Sequence, residues 1–163
     1  MIPFYIEGKE IAVILSVNSD FSAGETPEEL KVFSAPGVEP VPDQSKGRVL
    51  IVDDSMMSRM ILKNILTKDG YAVVGEAPDG EEGVKRFEEL HPDLVTLDIT
   101  MPRMDGLEAL THILASDPDA KVVMITAAGQ QDKLIQALKT GAKRFINKPF
   151  NEEEILRNIE EII

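Results

Sequence analysis

The chain has 163 residues, 43% of them hydrophobic and 28% charged, enough for one full domain with a buried core plus an additional segment. It carries 29 Asp and Glu against 17 Lys and Arg, a formal charge of −12, and shows no local basic patch, which argues against a nucleic-acid partner. It lacks cysteine, an apolar run long enough to span a bilayer and a basic N-terminal leader; this rules out disulfides and thiolate metal sites and fits a cytoplasmic location.

Residues 1–46 read as an N-terminal extension. They hold Pro3, Pro27, Pro36, Pro40 and Pro42, half of the chain's prolines. Ile2–Ile6 and Ile11–Val17 are two short β runs with Glu7-Gly8-Lys9-Glu10 as a turn between them, a short β-hairpin. Residues 18–46 are polar and Pro-rich, a linker with at most a helical turn at Pro27–Val32. A lone hairpin is marginal in water. The segment is either a plain extension or something that packs: it would add strands to a partner, pair two copies into a homodimer, or cover a face of the following domain.

Residues 47–163 form the second unit, with a strict alternation of strands and helices. Val49-Leu50-Ile51-Val52 is a continuous apolar run, as in a strand buried on both faces. A helix follows over Ser55–Lys68 and stops at Gly70. Then come a strand at Tyr71–Val74, a helix at Gly80–Leu90, a strand at Leu94–Leu97 and a helix at Gly106–Ser116. The last pairs are a strand at Lys121–Thr126 with a helix at Gln130–Thr140, and a short strand at Arg144–Asn147 with a helix at Asn151–Ile162. Five βα units imply an α/β fold: a doubly wound, five-stranded parallel sheet with helices on both faces. The flavodoxin-like order 2-1-3-4-5 fits, and it places a ligand site at the carboxyl ends of the first and third strands of the alternation.

Polar residues follow the strands that meet there. Asp53 and Asp54 end the first strand, Asp98 the third, Thr126 the fourth and Lys148 the fifth, while the remote second strand offers only Glu76. Each has an ordinary reading alone, as a helix cap, a strand residue or a surface charge. Together they place three carboxylates on one rim, where protonation or a divalent cation must relieve their repulsion. The hard oxygen donors favour Mg2+, and without His or Cys on the rim zinc is disfavoured. A carboxylate can attack phosphorus to form an acyl phosphate, with Mg2+, the Lys148 ammonium and the Thr126 hydroxyl meeting the phosphoryl oxygens. No GxxxxGK loop is present, so a nucleotide is not the expected donor.

Four stretches carry a resemblance: Val49-Leu50-Ile51-Val52-Asp53-Asp54-Ser55, Leu97-Asp98-Ile99-Thr100-Met101-Pro102-Arg103-Met104-Asp105-Gly106, Ile125-Thr126-Ala127-Ala128 and Asn147-Lys148-Pro149-Phe150. In order and spacing these resemble the receiver domains of two-component response regulators, over about residues 47–163. The resemblance implies Asp98 as acceptor of a phosphoryl group from the phosphohistidine of a histidine kinase. It implies a Mg2+ site of Asp53, Asp54, Asp98 and the Thr100 carbonyl, a switch pair of Thr126 and Phe145, and a cis Lys148–Pro149 bond that aims the lysine at the site. Phosphorylation would draw the Thr126 hydroxyl inward, let Phe145 rotate into the space behind it, and remodel the face of the fourth helix, fifth strand and fifth helix for a partner.

Gly129-Gln130-Gln131, together with an expected absence of any domain after the last helix, looks most similar to the stand-alone chemotaxis members of the family. Their partners would be a flagellar motor switch protein or a phosphatase. Such a protein is a signalling component, with no catalysis beyond its own phosphoryl transfer and dephosphorylation. Two features depart from the pattern: Thr100 stands where chemotaxis members commonly have Asn, which bears on the acyl-phosphate lifetime, and residues 1–46 have no counterpart in the minimal domain. A phosphorelay intermediate and a phosphorylation-independent interaction module are the alternatives inside the family. A Mg2+-dependent hydrolase with an aspartyl phosphate needs an Asp-x-Asp pair after the first strand, whereas here the acids are adjacent.

Overall fold

The computed structural model describes residues 45–163 throughout, together with the backbone strands β1 (Ile2–Ile6) and β2 (Lys9–Val13). The chain falls into two units, residues 1–40 and 41–163.

In the first unit β1 and β2 pair antiparallel, with Ile6 opposite Lys9 and Ile2 opposite Val13. The expected hairpin is there, but its second strand begins two residues before the apolar run that signalled it. Lys9 and Glu10 belong to the ladder, opposite Ile6 and Tyr5, because backbone hydrogen bonds form whatever the side-chain polarity. The expected continuation to Val17, the helical turn at Pro27–Val32 and the linker up to residue 44 lie outside the described residues.

The second unit alternates β3 (Arg48–Val52), α1 (Met56–Lys68), β4 (Ala72–Ala77), α2 (Gly80–Leu90), β5 (Leu94–Asp98), α3 (Gly106–Ser116), β6 (Val122–Thr126), α4 (Gln131–Thr140), β7 (Arg144–Asn147) and α5 (Glu152–Glu160). All neighbouring strands are parallel, in the order β4-β3-β5-β6-β7, which is the expected 2-1-3-4-5.

Each face of the three central strands is packed with apolar side chains. Leu50, Val52, Leu97 and Met124 point to one side, where Phe87 of α2, Leu110 and Ile113 of α3 and Ala137 of α4 cover them. Val49, Ile51, Val123 and Ile125 point to the other, under Leu62 and Leu66 of α1 and Ile155 and Ile159 of α5. This is why β3 is apolar at consecutive positions: Val49 through Val52 are all fully buried, worth about 1.5–3 kcal/mol apiece for the larger side chains.

The helix starts are set by local chemistry. Ser55, Asp79, Asp105 and Asn151 each accept a hydrogen bond from the backbone N–H three residues on, which satisfies an otherwise orphaned donor. In this unit β4 departs furthest from its sequence reading, the other strands differing by at most one residue at an end. β4 runs to Ala77 rather than stopping at Val74, because a bulge shifts the register between Val49 and Leu50 and pairing resumes through Leu50–Gly75 and Ile51–Glu76. Glu76 is therefore a strand residue, and its carboxylate lies 3.5 Å from both Arg59 and Lys63 of α1.

Candidate functional site: an acidic rim with one lysine

The carboxyl ends of β3, β5, β6 and β7 bring the charged residues together. Asp53 follows β3 and is fully buried. Its N–H donates to Ala77 O at 3.0 Å, and its Oδ1 accepts from Ser55 N–H at 2.8 Å. Asp98 is the last residue of β5, held in register against Ile125 of β6 and almost fully buried. Asp54 is exposed at the mouth. One carboxylate oxygen from each of Asp53, Asp54 and Asp98 lies within 4.8 Å of the others. Among the described residues no other three acidic or histidine side chains form such a group.

Lys148 comes from the far strand. Its backbone N–H donates to Thr126 O at 2.8 Å, and the Lys148–Pro149 bond is cis, as the resemblance implies. Its Nζ lies 3.0 Å from Asp53 Oδ2 and donates to Asp98 Oδ2 at 3.3 Å. Asp53 Oδ2 is fully buried, and the Lys148 ammonium is the cation that faces it.

The electrostatics follow from this geometry. Burial, then the neighbouring Asp53 charge, pushes the Asp98 carboxyl up to about 6, against the pull of Lys148; the Asp54 charge adds to the rise. Burial works against the Lys148 ammonium, but the contact with Asp53 and the charges of Asp98 and Asp53 outweigh it and raise its pKa. Three ionised carboxylates facing one ammonium leave two negative charges uncompensated, the charge of one divalent cation. The oxygen-only donor set and this excess of negative charge make the cluster compatible with Mg2+.

The other anticipated residues lie around this rim. Thr126 ends β6 and is buried, its hydroxyl making only a long 3.4 Å contact to Ala127 O. Thr100 is exposed two positions past Asp98, and its hydroxyl accepts from Gln130 Nε2. Phe145 is 39% exposed on β7, so it is not a core aromatic in this state.

Two neighbours of the site escaped the sequence reading. Arg59 donates from Nη1 to Asp53 O at 2.7 Å, tying α1 to the end of β3. Arg103, with φ 67°, places Nη1 3.3 Å from the buried Asp79 carboxylate at the start of α2. A single arginine among apolar helix residues gives no local signal, and neither pairing is visible before the fold brings the strand ends together. Asp79, followed by Gly80 and Glu82, does carry a recognisable helix-start pattern.

The family model described as the response regulator receiver domain matches residues 49–160. The chain belongs to this family. The chemotaxis protein CheY of Listeria monocytogenes is 53% identical over 113 residues, which span 69% of this chain and 95% of that protein. The CheY of Thermotoga maritima is 50% identical over 115 residues, 71% of this chain and 96% of its own. Among solved structures, the CheX–CheY–BeF3–Mg2+ complex from Borrelia burgdorferi contains a similar chain, with a TM-score of 0.68 and 40% identity over 71% of this chain and 87% of that one. As a receiver domain of the CheY-like kind, the chain carries its acidic rim on the strand ends described above, and residues 1–48 lie outside the family match.

Proposed function

We propose that this receiver domain accepts a phosphoryl group on Asp98 from the phosphohistidine of a histidine kinase in a chemotaxis pathway. The observation that carries the reading is the meeting of Asp98 with Lys148 and the buried Asp53 at one strand-end rim. An Asp98 carboxylate oxygen forms a bond to phosphorus as the donor's P–N bond breaks, and the imidazole leaves with the electron pair. Lys148 stays within reach of the transferred group's oxygens and offers its N–H donors to their charge. The Thr126 hydroxyl has no short partner and is free to turn toward the new dianion. Asp53, Asp54 and Asp98 would hold Mg2+, with the Thr100 carbonyl a further ligand on the family pattern. When bound, the ion supplies neutralisation of the charge on the phosphoryl oxygens.

The output surface would be α4, β7 and α5, where Ile135, Leu138 and Phe145 stand exposed. Inward movement of Thr126 followed by Phe145 would shift its population toward a partner-binding form. The CheY relatives matched along nearly their whole length support the chemotaxis assignment. A CheY of similar fold is bound to the protein CheX in a solved complex, which supports a protein partner here; that partner would be a phosphatase or a flagellar motor switch protein. In this role the chain is a cytoplasmic signalling protein acting on its own Asp98 rather than a turnover enzyme. Incubation with a phosphorylated kinase or acetyl phosphate in Mg2+ should place one acid-stable, base-labile phosphoryl group on Asp98, and labelling that persists in Asp98→Asn would overturn the assignment.

A further inference from the structure

Gln130 precedes α4 at the position where a side chain ordinarily caps the first turn, yet it makes no capping hydrogen bond. Both ends of its amide are engaged elsewhere. Oε1 accepts from the Ala127 N–H at 2.8 Å, and Nε2 donates to the Thr100 hydroxyl. Thr100 lies two residues after Asp98 on the loop leaving β5, and Ala127 lies one residue after Thr126 on the loop leaving β6. These two strands are adjacent, with Asp98 opposite Ile125. The Gln130 side chain therefore ties together the two loops beside the Asp98 carboxylate, while its backbone carbonyl accepts the first helical bond of α4, from Leu134 N–H at 3.0 Å.

The local sequence makes this reach possible. Gly129 sits at φ +87°, a conformation that strains any residue with a Cβ, and a Cβ there would meet nothing within 4 Å. The glycine is required by the turn rather than by crowding, and the turn delivers Gln130 to the rim.

We propose that Gln130 is a positioning residue, a latch that couples the rim around Asp98 to the start of α4. The proposal rests on the reading of Asp98 as phospho-acceptor. A phosphoryl dianion on Asp98 is a stronger hydrogen-bond acceptor than a neutral amide oxygen or a threonine hydroxyl. It competes for the rim's donors, above all the Ala127 N–H that Gln130 Oε1 now accepts. Once those bonds exchange partners, Gln130 is released and the first turn of α4 loses its tether. Charge at the acceptor thus reaches the helix through one side chain.

The test is amide hydrogen exchange of the full chain, resolved at Ala127 and Leu134, in wild type, Gln130→Ala, Thr100→Val and the double variant. In the unphosphorylated protein Gln130→Ala should speed exchange at both amides by about twofold to tenfold, the worth of one net hydrogen bond. Thr100→Val removes the acceptor of the amide and should speed Leu134 as well, and the double variant should be no faster there than Gln130→Ala alone. Gln130→Ala should also take label from acetyl phosphate faster than wild type, because the restraint on the switched form is gone. Unchanged Leu134 exchange in Gln130→Ala, multiplied effects in the double variant, or labelling no faster than wild type would each overturn the latch. Wild type that takes no label on Asp98 would instead overturn the phospho-acceptor reading, and the exchange rates of the unphosphorylated protein would still decide whether Gln130 tethers α4.

Discussion

The Lys148 ammonium and the Asp98 carboxylate meet at 3.3 Å across 50 positions of sequence, and the same ammonium lies 3.0 Å from Asp53. One cation thus serves two buried anions, with Asp54 a third at the rim. The metal-free protein carries this imbalance as a free-energy cost, and the cost is measurable.

Asp98 titrates at about 6 in the fold, against an ordinary value of 3.8. Between those two values the native state holds more protons than the unfolded chain. The contribution of Asp98 to the stability of the metal-free protein therefore falls as pH rises from about 4 to 6, and the loss is complete above the folded value. Asp98→Asn should abolish phosphoryl labelling and, in EDTA at pH 7.5, stabilise the fold by on the order of 1–3 kcal/mol. The gain should shrink toward zero near pH 4. Urea unfolding of both proteins across this range checks it, and a gain that grows on acidification would contradict the assigned imbalance.

Mg2+ should relieve the same imbalance. A ligand bound by the native state alone stabilises it in proportion to the logarithm of its concentration, by about 2.7 kcal/mol at a hundred times its dissociation constant. The melting temperature should climb steadily with Mg2+ in the wild type. In Asp53→Asn, where one buried carboxylate charge of the cluster is lost, the climb should be much weaker. Scans in EDTA and in millimolar Mg2+ separate the two cases, and equal responses would remove Asp53 from the metal site.

Lys148→Ala has opposite effects with and without the ion. In EDTA it leaves Asp53 and Asp98 without their shared cation. Breaking a buried pair costs about 3–5 kcal/mol, and because the Lys148 side chain is 25% exposed the expected loss is about 1–3 kcal/mol. With the ammonium gone the rim is more negative, so Mg2+ should bind more tightly than in wild type. The stabilisation on adding Mg2+ should therefore be larger in the variant, while labelling on Asp98 slows. Calorimetric titration with Mg2+ reads the first effect, and weaker binding in Lys148→Ala would show that the lysine supports the metal site rather than competing with it.

Most of this site was legible in the sequence because its parts sit at strand ends, and strand ends are marked locally. The apolar run Val49–Val52 stops at Asp53, Leu94–Leu97 stops at Asp98, and the order of five βα units brings those two ends side by side. What the sequence left out is of a different kind. The bulge that carries β4 on to Ala77 depends on pairing with β3, not on the local residues. Arg59 and Arg103 find their partners across helices and loops, and the Gln130 amide spans two loops that are neighbours only in the folded sheet. Phe145 could be read as a core aromatic or as a switch from its place on a strand; its exposure is a property of a sheet edge, which periodicity along one strand does not report.

The loop after Asp98 offers the last prediction, because backbone packing there fixes the acceptor. Gly106 N–H donates to Ile99 O at 2.7 Å, closing the loop that contains Thr100 and Arg103. A Cβ on Gly106 would fall 2.1 Å from Asp98 O and 2.8 Å from Ile99 Cα, both backbone atoms that cannot swing aside. Gly106→Ala must therefore push α3 away from the end of β5 or displace Asp98 itself. Overpacking of this kind costs about 1–3 kcal/mol, occasionally more. The variant should melt earlier than wild type and, where it remains folded at low temperature, bind Mg2+ more weakly, because the carboxylate has moved relative to Asp53. Gly129→Ala is the control: it meets open space, so its penalty is one of backbone strain at the start of α4 and should leave Mg2+ affinity unchanged. Equal Mg2+ affinity in Gly106→Ala and wild type would mean that the close approach of α3 does not set the position of Asp98.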